Sequence, residues 1–183
     1  MKRRWGLLQS NLRSKPFDLE DETVKIAIGA DSSGLQLKEE IKKHLAGGRH
    51  QFLDLGASAD QDRAYYEVAH DLASRVAKGE FERGILVCGT GMGMAIIANK
   101  HPGVYAAVCE DASTAAKARS INNANMLTLG GMFTTSFKAK EIIDAFLSTE
   151  FKSGWDMEEQ KFLDKSMAEI GKMESRQFIS KRK

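Results

Sequence analysis

Residues 84–99, Gly-Ile-Leu-Val-Cys-Gly-Thr-Gly-Met-Gly-Met-Ala-Ile-Ile-Ala-Asn, constrain the fold of this chain more than any other stretch. Ile85, Leu86 and Val87 form a short apolar run of the kind a strand covered on both faces needs, and the run ends in a thiol followed by alternating glycines. The pattern predicts strand, loop, helix. Cys88 then sits at the carboxyl end of a parallel strand, where open α/β sheets place ligands, and Gly89, Gly91 and Gly93 let backbone N–H groups crowd around whatever binds. A helix starting near Gly91 adds its positive end to those donors, so the loop is built to hold negative charge beside a sulfur.

Other readings of the loop stay open at this point. A dinucleotide fingerprint needs a glycine where Met94 stands, although Glu110 lies at the spacing of a ribose acceptor. A phosphate-clamping loop of the Gly-Lys-Ser/Thr type fails, because no lysine comes before Lys100. The plainest alternative is a tight turn around a buried, inert cysteine.

At 183 residues, 42% of them hydrophobic and 28% charged, the chain is long enough for one well-buried core and short for two. No apolar run approaches membrane-spanning length, and the basic N-terminus has no apolar stretch behind it, so the expectation is a soluble cytoplasmic protein, with organellar import through the basic arm left open. Cys88 and Cys109 lie at the ends of apolar runs, as reduced thiols do, and the four histidines show no metal-ligand spacing. Neither metal nor cofactor is expected. Lys2, Arg3, Arg4, Arg13 and Lys15 precede the first acid at Asp18; taking those five from the net charge of +2 leaves the remainder at −3. That arm reads as a solvated tail, and no nucleic-acid or membrane partner is expected.

The chain divides into a basic tail over 1–22, an α/β domain over 23–151 and a helical extension over 152–183. Strands are expected over 24–29, 51–55, 85–88, 104–108 and 126–129. Helices are expected over 35–45, around Val68 to Val76, from Gly91 through Asn99, over 111–120, 136–147 and 157–178. Asp31-Ser-Ser-Gly is the expected cap of the first helix. Strands alternating with helices imply a Rossmann-like three-layer α/β/α sandwich with a five-stranded parallel sheet. The last helix is extra to that plan. Its apolar residues Phe162, Leu163, Met167, Ile170 and Met173 read as one stripe laid across a second subunit, which implies a homodimer.

Lys25-Ile-Ala-Ile-Gly-Ala-Asp31, the Gly84–Met94 stretch, Ala98-Asn-Lys100, Ala118-Arg-Ser-Ile-Asn122 and Asn125 fall in order at strand ends. Together they resemble the ribose-5-phosphate isomerase B family, which includes the galactose-6-phosphate isomerase subunits, over about residues 24–151. The resemblance implies an aldose–ketose isomerase in which Cys88 moves a proton between C1 and C2. It further implies that Gly89, Thr90, Gly91, Met92 and Gly93 bind the enediolate, with Cys88 and Thr90 as the catalytic residues, and that Asp31, Ser32 and Asn122 meet the sugar. The chemistry of the residues agrees, because enolisation needs one base and a row of donors facing two oxygens. Asp31 serves equally as a helix cap and Asn122 as a turn former.

The departures are informative. Ser32 and Ile121 occupy positions where the family carries the histidines associated with ring opening and proton donation. Met132, Trp155 and Glu159 occupy those of arginines that grip phosphate, leaving Lys100 and Arg119 as the cations near the motifs. This pattern is similar to a divergent branch that includes a plant protein named for DNA-damage tolerance. It points to a sugar or sugar phosphate that is short or mostly open-chain, in preference to ribose 5-phosphate. The alternative is a non-catalytic carbohydrate-binding relative that kept the pocket and lost the acid.

Overall fold

The computed structural model describes residues 23–179. The basic tail over 1–22 lies outside the described residues. Five strands, β1 (Lys25–Ala30), β2 (Gln51–Asp54), β3 (Arg83–Cys88), β4 (Ala106–Val108) and β5 (Met126–Gly130), pair in the order β2-β1-β3-β5-β4, all parallel. They alternate with α1 (Leu35–Ala46), α2 (Tyr65–Ala77), α3 (Met92–Ala98), α4 (Ala112–Ser120) and α5 (Ser136–Ser148). The expected sandwich is therefore present, and α6 (Met157–Glu174), ending in a π-helical turn at Ser175–Ile179, is the extra helix.

Period-2 alternation divides the core. Ile26, Ile28, Ile85, Val87, Leu127 and Leu129 face α1, α4 and α5, where Ile41, Ile142 and Phe146 cover them. Ala27, Leu86, Cys88 and Met126 face the opposite way, toward Val68 and Leu72 of α2 and Met94 and Ala98 of α3. The short edge strand β4 starts later than the sequence implies: before it, the Tyr105 carbonyl takes the Asn125 and Met126 N–H groups at 3.1 and 3.2 Å, and side chains hold the rest of the segment. Asn125 accepts the Tyr105 N–H and donates to the Gly103 carbonyl, each at 2.8 Å. Asn99 accepts the Ala106 N–H at 2.8 Å and donates to its carbonyl at 2.9 Å.

Two charges are buried as braces. The Lys38 side chain, wholly shielded in α1, bonds Asp54 at 2.7 Å and the Ala57 carbonyl, tying α1 to the loop after β2. Arg119, 2% exposed, donates to Asn123 Oδ1, the Ala124 carbonyl and the Thr149 carbonyl at 3.1, 2.7 and 3.2 Å. Its burial pulls the guanidinium down to about 10, still charged at neutral pH.

The apolar residues of α6 do not form one face. Leu163 is buried and Met167 and Ile170 are half-buried, whereas Phe162 and Met173 are exposed. At 100° per residue Phe162 and Met173 lie roughly a quarter-turn from the Leu163 row, which explains the split. Part of the stripe is therefore consumed within the chain, where Glu174 also accepts the Gly103 N–H and the Tyr105 hydroxyl. Among the described residues no helix is long and apolar enough to cross a membrane.

Candidate active site

The strand order reverses between β1 and β3, so their carboxyl ends diverge into the crevice where open α/β sheets bind ligands. Ala30 pairs with Val87, which sets Asp31 beside Cys88. The contact is close because residue 34 is glycine: a Cβ there would lie 2.3 Å from the Val87 carbonyl oxygen.

Cys88 is 5% exposed, and its Sγ accepts the Gly91 N–H at 3.1 Å. Gly91 has φ +77° and abuts the Leu129 backbone, so the loop turns back over the sulfur in a conformation that L side chains resist. From the other side, Gly131 donates to the Cys88 carbonyl at 2.8 Å and Met132 to the Gly89 carbonyl at 3.0 Å. Thr90 Oγ1 accepts the Met92 N–H at 3.3 Å. The helix that follows, α3, has only seven residues, and the donor that meets the sulfur is the backbone N–H of Gly91 just before it. Gly93 leaves room for Tyr65, whose ring carbon would come within 2.8 Å of a Cβ there.

Asp31 plays the turn role in a modified form. The N-cap of α1 is Gly34, and Asp31 Oδ1 instead accepts the Gly34 N–H at 2.9 Å. Burial raises the Asp31 pKa against the opposing N–H groups of Gly34 and Ser33, and nearby Asp62 adds to the rise. Ser32 is exposed beside it.

Asn122 stands apart from this cluster. It lies in the loop before β5, at the amino end of the sheet, while Cys88 pairs with Gly130 at the carboxyl end. A strand length, about 13 Å at ~3.3 Å per residue, separates the two ends. Ile121 lies there too, as does the Trp155 ring, which carries Lys117 at 4.5 Å from its centroid. Of the two cations near the motifs, Lys100 is exposed, and Arg119 is the buried brace, unavailable to a ligand. Among the described residues no three His, Cys, Asp or Glu side chains are grouped to hold a metal ion.

An open cleft of about 480 Å³ adjoins the Cys88 loop, between the first turn of α1 and the β5–α5 loop, lined among others by Ser33, Gln36, Glu40, Met132, Thr134 and Ser136. Sequence reasoning found the glycine loop but not this wall, since isolated serines and threonines carry no periodic signal. The one available signal was Gly130-Gly131, where the chain approaches Thr90 and Ser33 too closely for side chains.

A model of the ribose/galactose isomerase family matches residues 26–165. A 4-deoxy-4-sulfo-D-erythrose isomerase of a Clostridium species is 44% identical over 152 residues, spanning 82% of this chain and 96% of the relative. A D-erythrulose-4-phosphate isomerase of Pectobacterium atrosepticum is 42% identical over 132 residues, spanning 72% of this chain and 87% of its own. A DNA damage-repair/toleration protein of Arabidopsis thaliana is 37% identical over 163 residues, of which this chain spans about half, 51%. The solved structure of Clostridium thermocellum ribose-5-phosphate isomerase B superposes with a TM-score of 0.75 at 36% identity, covering 83% of this chain and 98% of that one. With the sheet, the crevice and the thiol loop in place, the chain belongs to the ribose/galactose isomerase family of sugar and sugar-phosphate isomerases.

Proposed function

We propose that this protein interconverts a four-carbon aldose and its ketose, the sugar bearing an anionic group at C4, through a cis-enediolate. Cys88 takes the proton from C2 of the aldose and returns it to C1. The N–H groups of the Gly89 to Gly93 turn other than those of Gly91 and Met92, which bond Cys88 Sγ and Thr90 Oγ1, hold the two oxygens as charge develops on them. Asp31 holds a substrate hydroxyl beside the thiol. The observation that carries this reading is Cys88 Sγ under the Gly91 N–H at the end of β3, a base and a donor on one crevice wall.

Substrate length follows from what is missing. Pentoses and hexoses are mostly cyclic and need an acid–base pair to open them, whereas a four-carbon sugar whose C4 position is occupied has no hydroxyl free to close a ring. Ser32 and Ile121 supply no such pair, and the names of two relatives, acting on sulfoerythrose and erythrulose 4-phosphate, agree with the short chain. Asn122 reaches a substrate at Cys88 only from a second copy, so the active unit is a homodimer. Both cysteines are free, which suits a reducing, cytoplasmic compartment.

The test is deuterium incorporation at C2 in heavy water, with kcat/KM for erythrose 4-phosphate and 4-deoxy-4-sulfoerythrose set against ribose 5-phosphate. Four-carbon substrates are expected to win. Equal or better turnover of ribose 5-phosphate overturns the substrate reading, and saturable sugar binding without exchange overturns catalysis.

A further inference from the structure

We propose that His70 and His101 form a surface site for a divalent copper or nickel ion, separate from the Cys88 crevice and independent of the isomerase reading. The two lie 31 residues apart in sequence, so no local spacing marks them as a pair. Packing brings them together. Val68, Ala69 and Leu72 of α2 share one apolar cluster with Met94 and Ala98 of α3. His70 follows Ala69 on α2 and is exposed at the margin of that contact. His101 stands in the turn that closes α3, half-buried, with its backbone N–H on the Ala98 carbonyl at 3.1 Å.

Hydrogen bonds decide which nitrogens can ligate. His101 Nδ1 lies 3.2 Å from the carbonyl oxygens of both Ile97 and Ala98. A carbonyl only accepts, so Nδ1 carries the ring proton and Nε2 presents a lone pair. Backbone carbonyls that hold one N–H of an imidazole orient the ring as they do in metal-ligating histidines. The Nε2 lone pair faces His70 Nδ1 at 2.9 Å, so the hydrogen between the rings belongs to His70. When an ion takes its place, that proton passes through solvent to Nε2 of the same exposed ring, and none is lost from the pair.

Distance selects the ion. Two imidazole nitrogens, each about 2.0 Å from one ion, lie about 2.8 Å apart at a right angle and about 3.3 Å apart at a tetrahedral angle. The 2.9 Å between His70 and His101 matches the right-angled, tetragonal arrangement of copper or nickel. The rings are tilted by 44° with centroids 4.9 Å apart, so a modest rotation of the exposed His70 ring turns its lone pair toward an ion beside the pair. His101 needs no rearrangement. Among the described residues no third His, Cys, Asp or Glu completes a cluster, so water takes the other positions. Copper is therefore held most tightly, tetrahedral zinc less well, and magnesium, which takes oxygen ligands, is not held.

The experiment adds copper, nickel or magnesium chloride alone to the tag-free full chain. Paramagnetic resonance of the copper form is expected to show coupling to two imidazole nitrogens. Calorimetry with nickel, which does not oxidise thiols, is expected to show one site, and magnesium none. His70→Ala, a change at an exposed position, is expected to keep the fold and to weaken nickel binding at least about tenfold, whereas His44→Ala leaves it unchanged. Because the ion ties α2 to the turn after α3 in the folded chain only, nickel should raise the unfolding temperature of the wild type and not that of His70→Ala. Copper coupled to fewer than two nitrogens overturns the proposal, as does a nickel affinity unchanged in His70→Ala or reduced as much in His44→Ala. No sugar enters these readouts, so the isomerase reading can fail without moving them.

Discussion

Replacing Gly34 by alanine tests whether the approach of the α1 loop to β3 positions the base. The added Cβ would lie 2.3 Å from the Val87 carbonyl oxygen, 2.5 Å from its carbon and 2.9 Å from the Cys88 nitrogen. All three are backbone atoms, so no rotamer relieves the contact. Restoring an ordinary 3.4 Å separation requires about 1 Å of movement between the first turn of α1 and the residue that carries the thiol. Overpacking of this kind costs about 1–3 kcal/mol, and for a domain of this size each kcal/mol lowers the midpoint by about 2–4 °C. A 1 Å displacement of a catalytic group costs on the order of 100-fold in rate. Gly47→Ala is the control: its φ is −82° and its nearest neighbour is the His44 carbonyl oxygen at 3.6 Å. There the smaller unfolded-state entropy should stabilise by about 0.4–1 kcal/mol. Thermal unfolding and C2 hydrogen exchange on both variants give the answer. Gly34→Ala with wild-type stability and an unchanged exchange rate refutes the argument.

Three further outcomes follow from the same contacts. Cys88→Ala should abolish C2 exchange while leaving sugar affinity and the far-ultraviolet dichroism spectrum intact, and residual turnover near the wild-type rate would make the thiol structural. Arg119→Met should lower stability by about 3–5 kcal/mol in a denaturant titration, because the Asn123, Ala124 and Thr149 acceptors lose their donor. Burial pushes the Cys109 thiol from its ordinary value near 9 up to about 11. The unfolded chain therefore loses that proton first: the contribution is complete below about pH 9 and disappears toward about pH 11, a loss of roughly 2 kcal/mol. Denaturant midpoints across that range should fall more steeply in the wild type than in Cys109→Ala.

The strand ends were legible because apolar runs stop at residues with distinct chemistry. Ile85 to Val87 ending at Cys88 located the central strand and the sulfur, and the glycines that follow located the turn whose Gly91 N–H meets that sulfur. Other motif residues carried less than they implied. Asn99 and Asn125 are backbone clamps, Arg119 is an internal brace, and Asp31 braces a turn one step before the helix it was expected to cap. Their roles depend on contacts between segments far apart in sequence, such as Asn125 with Gly103, which no local period encodes. Lys38 illustrates the same limit, since a lysine on an amphipathic helix reads as solvated until Asp54 and Ala57 are seen to enclose it. The helical spacing of α6 was legible as well, but the row was read too broadly, joining residues a quarter-turn apart.

The Asn99 clamp bears on solubility more than on stability. An edge strand offers its outward N–H and carbonyl to any passing extended chain, and β4 is such an edge, three residues long with Val108 partly bare. Ala106 turns both of its polar backbone groups outward, and the Asn99 amide engages both, giving and accepting as a neighbouring strand would. One side chain thus occupies the place where a sixth strand, from another molecule, would begin to add.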